Sequence, residues 1–419
     1  MAAPDRIVLL NDFSRAEGGA GYLATTLAAG LSARGLRVTF IAGDTIEQGL
    51  PEGVEPVAIG GHALLDGPAR SAALRGLDNR TAAAAVGRWI SENDTPGTVY
   101  HLHNWSNIFS PSVFDALAPV RDRLVIHAHD FFLACPNGAY LDFQRDEICG
   151  RTPLSTGCIA VNCDKRSYSH KLWRAARQGV LQRKLRPHLP FARFVTIHEA
   201  TVPLLRRAIT PAHMHVIRNP VTAFASPVPA PEAQRRFVHI GRIQKLKGVF
   251  EIAAAGERLG LRIDFFGGGE DLDEMVRRHP SHAYHGWTDR DTIGKAMQTV
   301  RAVIVGTKSP EPFCLAAFEA AATGLPLILS DAILAAPELA GTGAAIMFRA
   351  GDADALAAVI GRVRDDDALV ARLARAARDT RESLGHGLPD WIEAHLRLYT
   401  QLARPAGRHT DTQVARAAG

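Results

Sequence analysis

Arg6-Ile-Val-Leu-Leu10, Gly21-Tyr-Leu-Ala-Thr-Thr-Leu-Ala-Ala-Gly-Leu-Ser-Ala-Arg34 and Val38-Thr-Phe-Ile-Ala42 follow one another near the start of the chain, and the architecture is read from them. The outer two are apolar runs too short for helices, with no polar alternation, as befits strands covered on both faces. Between them Leu23, Leu27 and Leu31 recur at helical spacing. Strand, crossover helix and strand make a parallel unit. The pattern recurs in Val99–Leu102, Leu124–His127 and Phe194–Ile197 as strands and Thr81–Glu92 as a helix. Around Thr222–Gln234 it stops at Phe224-Ala-Ser-Pro-Val-Pro-Ala-Pro231, where three prolines exclude a helix or a central strand. It then resumes. Phe237–Ile240, Arg262–Phe266, Ala302–Val305 and Pro326–Leu329 read as strands, and Val249–Gly260, Leu272–Arg278, Phe313–Thr323 and Asp352–Arg364 as helices.

The fold class is therefore α/β, with two Rossmann-like, doubly wound parallel-sheet domains facing across a cleft. Residues 1–222 form the first domain and 235–385 the second, followed by a helix over 386–403 and a small, polar, disordered tail over 404–419. The length of 419 residues fits two such units better than one core. Lys plus Arg number 48 against 43 acidic residues, a surplus of 5 that gives no reason to expect nucleic acid. No run approaches the roughly 18 apolar residues of a membrane span. Met1–Leu10 lacks a secretory pattern, so a cytoplasmic location is expected.

The strongest local motif is Pro310-Glu-Pro-Phe-Cys-Leu-Ala-Ala-Phe-Glu319, running on to Gly324-Leu-Pro326. Pro312 suits the first turn of a helix that begins near Phe313, and the free amides of Phe313, Cys314 and Leu315 then suit negatively polarised oxygens. Glu311 ahead of that turn can accept hydrogen bonds from sugar hydroxyls, and Glu319, two turns on, from a ribose. A second motif, Gly241-Arg-Ile-Gln-Lys-Leu-Lys-Gly248, follows a strand directly. Arg242 offers a fork and Lys247 a mobile point charge, a pair suited to a diphosphate. In the first domain Glu17-Gly-Gly-Ala-Gly-Tyr22 fits a dinucleotide fingerprint, with Asp44 near the end of the next strand. An NAD-dependent dehydrogenase is thus a rival, but the residues between Leu10 and Gly19 make too long a loop for that fingerprint. His127-Ala-His129-Asp130 closes a strand and can bind hydroxyls or move protons, while His101-Leu-His103-Asn104 reads as cleft lining.

Taken together, Gly-Arg-x4-Lys-Gly, Glu-Pro-Phe-x5-Phe-Glu-Ala, the Gly-Gly loop and the strand-end His-Asp resemble the retaining glycosyltransferases of family four, from about Arg6 to about Arg364. The resemblance implies the GT-B fold and a nucleotide-diphosphate sugar as donor. It implies that Arg242 and Lys247 hold the diphosphate, that Glu311 and the amides of Phe313, Cys314 and Leu315 bind the donor sugar, and that Glu319 binds the ribose. Gly18 and Gly19 would approach the phosphate from the first domain, Gly268 would lie in the glycine-rich turn near the nucleotide, and His129 would stand beside the transferred sugar and its acceptor. The resemblance also implies retention of configuration, no metal or cofactor for catalysis, a carbohydrate or lipid-linked acceptor, a role in bacterial surface polysaccharide or glycolipid assembly, and a last helix packed back on the first domain. Cys314 stands where glycine is usual, Asn219-Pro-Val-Thr222 where Asn-Gly-Val-Asp is frequent, and His198-Glu199 where Ser-Glu is common. A nucleotide-sugar epimerase or phosphorylase on the same fold, or a silent binding protein, remains open. The first needs further carboxylates, a pyridoxal-dependent phosphorylase a Schiff-base lysine and a far longer chain.

Two features lie outside those motifs. Cys135, Cys149, Cys158 and Cys163 fall in an aperiodic insertion over about 131–169 and offer either a structural zinc site or buried thiols. The basic stretch 165–186 is either a solvated helix face or a contact for anionic lipid at the inner face of a membrane, or for a lipid-diphosphate acceptor.

Overall fold

In the computed structural model, residues 3–15, 18–47, 49–64, 66, 68–224, 230–380 and 385–403 are described. The disordered tail expected over 404–419, Glu17 of the glycine motif and residues 225–229 of the linker lie outside them. In chain order the first lobe contains β1 (Arg6–Asn11), β2 (Val38–Ala42), β3 (Val54–Ala58), β4 (Thr98–Leu102), β5 (Leu124–Ala128), a small antiparallel hairpin of β6 (Leu141–Asp142) and β7 (Glu147–Ile148), then β8 (Arg193–Thr196) and β9 (His213–Val216). Seven of these make one parallel sheet in the order β3-β2-β1-β4-β5-β8-β9. The second lobe supplies β10 (Arg236–Ile240), β11 (Ile263–Phe266), β12 (Ala283–Tyr284), β13 (Val300–Val305), β14 (Leu327–Ser330) and β15 (Ala345–Phe348), in the parallel order β12-β11-β10-β13-β14-β15.

The continuous apolar runs become the interior of both sheets. Every residue of β2, β4, β5, β13 and β14 is buried, because helices cover both faces. In each sheet the winding direction reverses beside the lobe's first strand, between β1 and β4 and between β10 and β13. Ligands of open α/β sheets bind beyond the carboxyl ends of such strands. No described helix is long and apolar enough to cross a membrane.

The helix Leu388–Leu402 lies on the first lobe. Its Trp391, Ile392, Leu398, Tyr399 and Leu402 share a buried cluster with Leu23, Leu27 and Leu31 of the helix Gly18–Ser32. Each fully buried large apolar side chain contributes roughly 1.5–3 kcal/mol. The two connections between lobes run side by side, with Val221 donating its N–H to the carbonyl of His386 at 2.9 Å.

Candidate active site

The loop leaving β10 is shaped by close backbone approach. Gly248, at φ +67°, caps the helix Val249–Arg258, and a Cβ there would fall 1.9 Å from the carbonyl oxygen of Gly306 at the end of β13. A Cβ on Gly267 would fall 2.0 Å from the oxygen of Gly241, and one on Gly269 2.2 Å from that of Ile243. The glycine turn after β11 therefore packs directly on the Gly241–Gly248 loop.

Inside this frame Lys247 Nζ meets Glu311 Oε2 at 2.5 Å, with side chains only 18% and 20% exposed. Burial alone would raise the Glu311 carboxyl. Lys247, Thr307 and the more distant charge of Arg242 outweigh it and hold the group below its ordinary range. Arg242 is exposed at the rim. Beneath the pair His239 is fully buried, its Nδ1 3.0 Å from the carbonyl of Ile304; burial lowers it to about 4 and keeps it neutral.

The helix expected to begin near Phe313 spans Leu315–Ala322 instead. Cys314 precedes it in the left-handed region, at φ 58° and ψ 70°, so Pro312 lies outside the helix's first turn. Such a conformation costs a non-glycine residue about 1–2 kcal/mol. That accounts physically for a position where the resemblance expects glycine. The Cys314 thiol is buried, which raises it to about 12, and it feels the charges of Glu311, Lys247 and Glu319. We expect Cys314→Gly to stay within about 1 kcal/mol of the parent, since strain relief offsets lost packing. Cys314→Val, a β-branched residue forced into the left-handed region, should lose at least about 2 kcal/mol. Urea denaturation of both variants checks this.

Glu319 is buried, which raises its carboxyl, and Arg290 partly offsets the rise. Arg290 Nη1 donates to Glu319 Oε1 at 2.8 Å, and its guanidinium also binds the carbonyl of Thr222 and lies 5.2 Å from the Phe224 ring centroid. The expected ribose carboxylate thus already has a cationic partner. Arg290 is 29 residues from Glu319 in sequence, and no local motif marks it. Trp287 was equally hidden. It is 75% exposed, and a Cβ on Gly268 would lie 2.7 Å from its Nε1.

In the first lobe the glycines expected in a loop open a helix, Gly18–Ser32, three residues earlier than the apolar spacing indicates. Gly18 has φ +71°, and neither it nor Gly19 has a heavy atom within 4 Å of an added Cβ. The preceding loop is pinned by Asp12, which accepts N–H bonds from Asn107, Ile108 and Phe109 at 2.7–3.0 Å. Asp44, the acid a dinucleotide fingerprint would place on a ribose, instead accepts bonds from the amide and hydroxyl of Ser14.

His129 follows β5. Its Nε2 lies 2.9 Å from His103 Nδ1, and its ring stacks on His127 at 3.9 Å between centroids. Burial lowers His129 to about 3, so the imidazole is neutral, and burial raises neighbouring Asp130 to about 6. A polar hollow of about 10 Å³, room for a water's centre, is lined by His103, His127, His129 and Asp130.

The lobes meet through charged and apolar contacts. Arg218 binds Glu199 at 2.8 Å and Glu338 at 2.7 Å, and His198 Nε2 lies 3.0 Å from Glu338. His198-Glu199 is thereby engaged in an ion network that joins the lobes. Phe313, ahead of the helix Leu315–Ala322, stands 6.1 Å from His198 between ring centroids. Lys308 pairs with Asp146 of the insertion, and Lys165 with Glu270.

Much of the basic stretch turns inward. Lys171 is buried with Nζ 3.3 Å from Cys158 Sγ and 3.2 Å from Cys163 Sγ. Arg177 is buried against the carbonyls of Gly76 and Ser106, Arg174 pairs with Asp164, and Lys184 with Asp78 and Asp115. The reading of 165–186 as one solvated or lipid-facing basic face therefore fails for these four residues. Their donors go to sulfurs and a carboxylate of the insertion and to carbonyls and carboxylates of the first lobe around it. All four clustered cysteines are buried, and none is in a disulfide. Among the described residues, the set of three metal-ligating side chains with ligand atoms within 4.8 Å of one another is a different one: His101, His103 and His127.

Residues 222–380 match the family model described as Glycosyl transferases group 1. A comparison with curated proteins finds no match. Among solved structures, the chain is similar to sucrose-phosphate synthase from Thermosynechococcus elongatus, with TM-score 0.71 and 17% identity over 95% of this chain and 99% of that one. It is also similar to HepE from Anabaena in complex with UDP-glucose, with TM-score 0.65 and 16% identity over 94% and 99%. A third is WaaG, a glycosyltransferase involved in lipopolysaccharide biosynthesis, with TM-score 0.64 and 14% identity over 94% and 99%. The whole chain has the GT-B fold, and the match to the family model lies within its second lobe and the connection leading into it.

Proposed function

We propose that the protein is a retaining glycosyltransferase that moves a sugar from a nucleotide-diphosphate sugar to a hydroxyl of a carbohydrate or lipid-linked acceptor. The observation that carries this reading is the Lys247–Glu311 pair, set with Arg242 where the second sheet reverses its winding. Arg242 and Lys247 hold the donor diphosphate and stabilise the charge that develops as it departs. Glu311 remains ionised beside them and accepts hydrogen bonds from the transferred sugar, with the amides of Phe313, Cys314 and Leu315 alongside. Glu319, steered by Arg290, orients the ribose. Gly18, Gly19 and Gly268 let backbone approach the nucleotide. His129, neutral at working pH, hydrogen-bonds the sugar or the acceptor hydroxyl rather than carrying charge there. The acceptor attacks the face that the diphosphate leaves, so configuration is kept without a protein nucleophile or a catalytic metal.

A role in bacterial surface polysaccharide or glycolipid assembly is part of this proposal. The exposed Arg166, Arg183 and Arg186, outside the four basic residues turned inward, would face an anionic acceptor or membrane surface. Thermal shift with UDP-, GDP-, dTDP- and ADP-sugars tests the donor reading. One nucleotide class should raise Tm, by about 2.7 kcal/mol of added stability at a hundredfold excess over Kd. Stabilisation by NAD(H) and by no nucleotide sugar would instead restore the dehydrogenase reading.

A further inference from the structure

We propose that His101, His103 and His127 bind one late first-row divalent ion, zinc by chemistry, behind the floor of the cleft in the first lobe. The ligands adjoin His129 but are not among the residues proposed to bind the donor, and the ion does not depend on the sugar chemistry. His101 and His103 are 0% and 2% exposed at the end of β4 and just beyond it, and His127 is 2% exposed on adjacent β5. One ligand atom from each lies within 4.8 Å of the others.

Three details favour an ion over a simple stack of rings. His101 Nε2 and His127 Nδ1 are 3.2 Å apart. Two nitrogens on one tetrahedral zinc, each about 2.0–2.1 Å from it, stand roughly 3.3 Å apart, so little movement is needed to admit the ion. On two of the three rings the remaining nitrogen has the kind of partner that ligating histidines keep. His101 Nδ1 lies 2.6 Å from the Tyr399 hydroxyl, and His103 Nδ1 lies 2.9 Å from His129 Nε2. Third, His103 Nε2 is buried without a hydrogen-bond partner, which a packed core normally avoids and a bound ion would supply.

Burial, with the neighbouring rings, keeps all three imidazoles well below their usual range, hence in the neutral form a metal takes. Uncharged nitrogen ligands suit zinc, cobalt or nickel rather than magnesium or calcium. The hollow lined by His103 and His127 has room for a water as fourth ligand, and Asp130 on its wall supplies a nearby carboxylate. An ion here would tie the ends of β4 and β5 to Tyr399 of the last helix, beneath His129.

The test is metal analysis and zinc-edge X-ray absorption on the full chain, stripped with EDTA and reloaded with one equivalent of zinc. We expect one bound equivalent with nitrogen or oxygen neighbours at about 2.0–2.1 Å, and its loss in His101→Gln and His127→Gln. Zinc surrounded only by sulfur, at about 2.3 Å, would place the ion on the cysteines and overturn the proposal. So would a stripped chain that takes up no zinc, or nitrogen-bound zinc undiminished in either variant. The wild-type spectrum decides the matter even if a variant does not fold.

Discussion

Glu311→Ala should lower kcat/KM by a hundredfold or more while leaving the fold intact, and Lys247→Ala should do the same. Removing one positioned donor to a developing negative charge costs about 10²–10³ in rate elsewhere, and Lys247 is placed as such a donor. The stability cost should be smaller, about 1–3 kcal/mol for losing one charge-assisted bond, because both side chains keep some solvent contact. Circular dichroism and Tm then separate lost chemistry from lost structure. The two variants should differ in their pH dependence. Lys247 leads the groups that hold Glu311 below its ordinary range against burial. In Lys247→Ala the burial contribution gains weight, so Glu311 takes up its proton at higher pH. The acid limb of residual activity should therefore move upward, and Glu311→Gln should lack that limb. Near-normal turnover in both alanine variants would remove the roles proposed for the pair.

Which parts of this were legible beforehand follows from burial and from distance along the chain. β2 was read at its observed bounds because both faces are covered and its residues form an unbroken apolar run. β3, Val-Glu-Pro-Val-Ala, was not read at all. It is an edge strand, largely exposed, and its glutamate and proline break any apolar signal. The start of the helix at Leu315 was missed because Pro312 looks like a first-turn proline, and nothing local shows that Cys314 takes a left-handed turn. Lys247 and Glu311 were legible separately, each in its own motif, and the fold brings them together across 64 residues. Arg290 and Trp287 carry no motif, and only the folded chain places them beside Glu319 and Gly268. The basic stretch misled for the opposite reason. Its composition signals a charged surface, yet Lys171 and Arg177 face thiols and carbonyls inside the insertion and its neighbours.

Gly248→Ala should show how closely the cationic loop depends on backbone contact. An alanine there must adopt φ near +67° and would place its Cβ 1.9 Å from the Gly306 oxygen and 2.7 Å from its carbonyl carbon. Both are backbone atoms, so the neighbour cannot swing aside as a side-chain tip could. Either β13 or the Gly241–Gly248 loop must shift, and Lys247 is the residue next in line. We expect a loss of about 2–4 kcal/mol, more than the roughly 1–2 kcal/mol of left-handed strain alone. Affinity for the donor nucleotide should fall at least tenfold by calorimetry, since a displacement of about 1 Å is enough to spoil a positioned cation. Gly260 is the matched control: its φ is +63°, but an added Cβ meets nothing within 4 Å. Gly260→Ala should therefore lose only the strain and keep its affinity. Equal behaviour of the two variants would mean that the Gly248–Gly306 contact does not hold the loop, and the placement of Lys247 would need another cause.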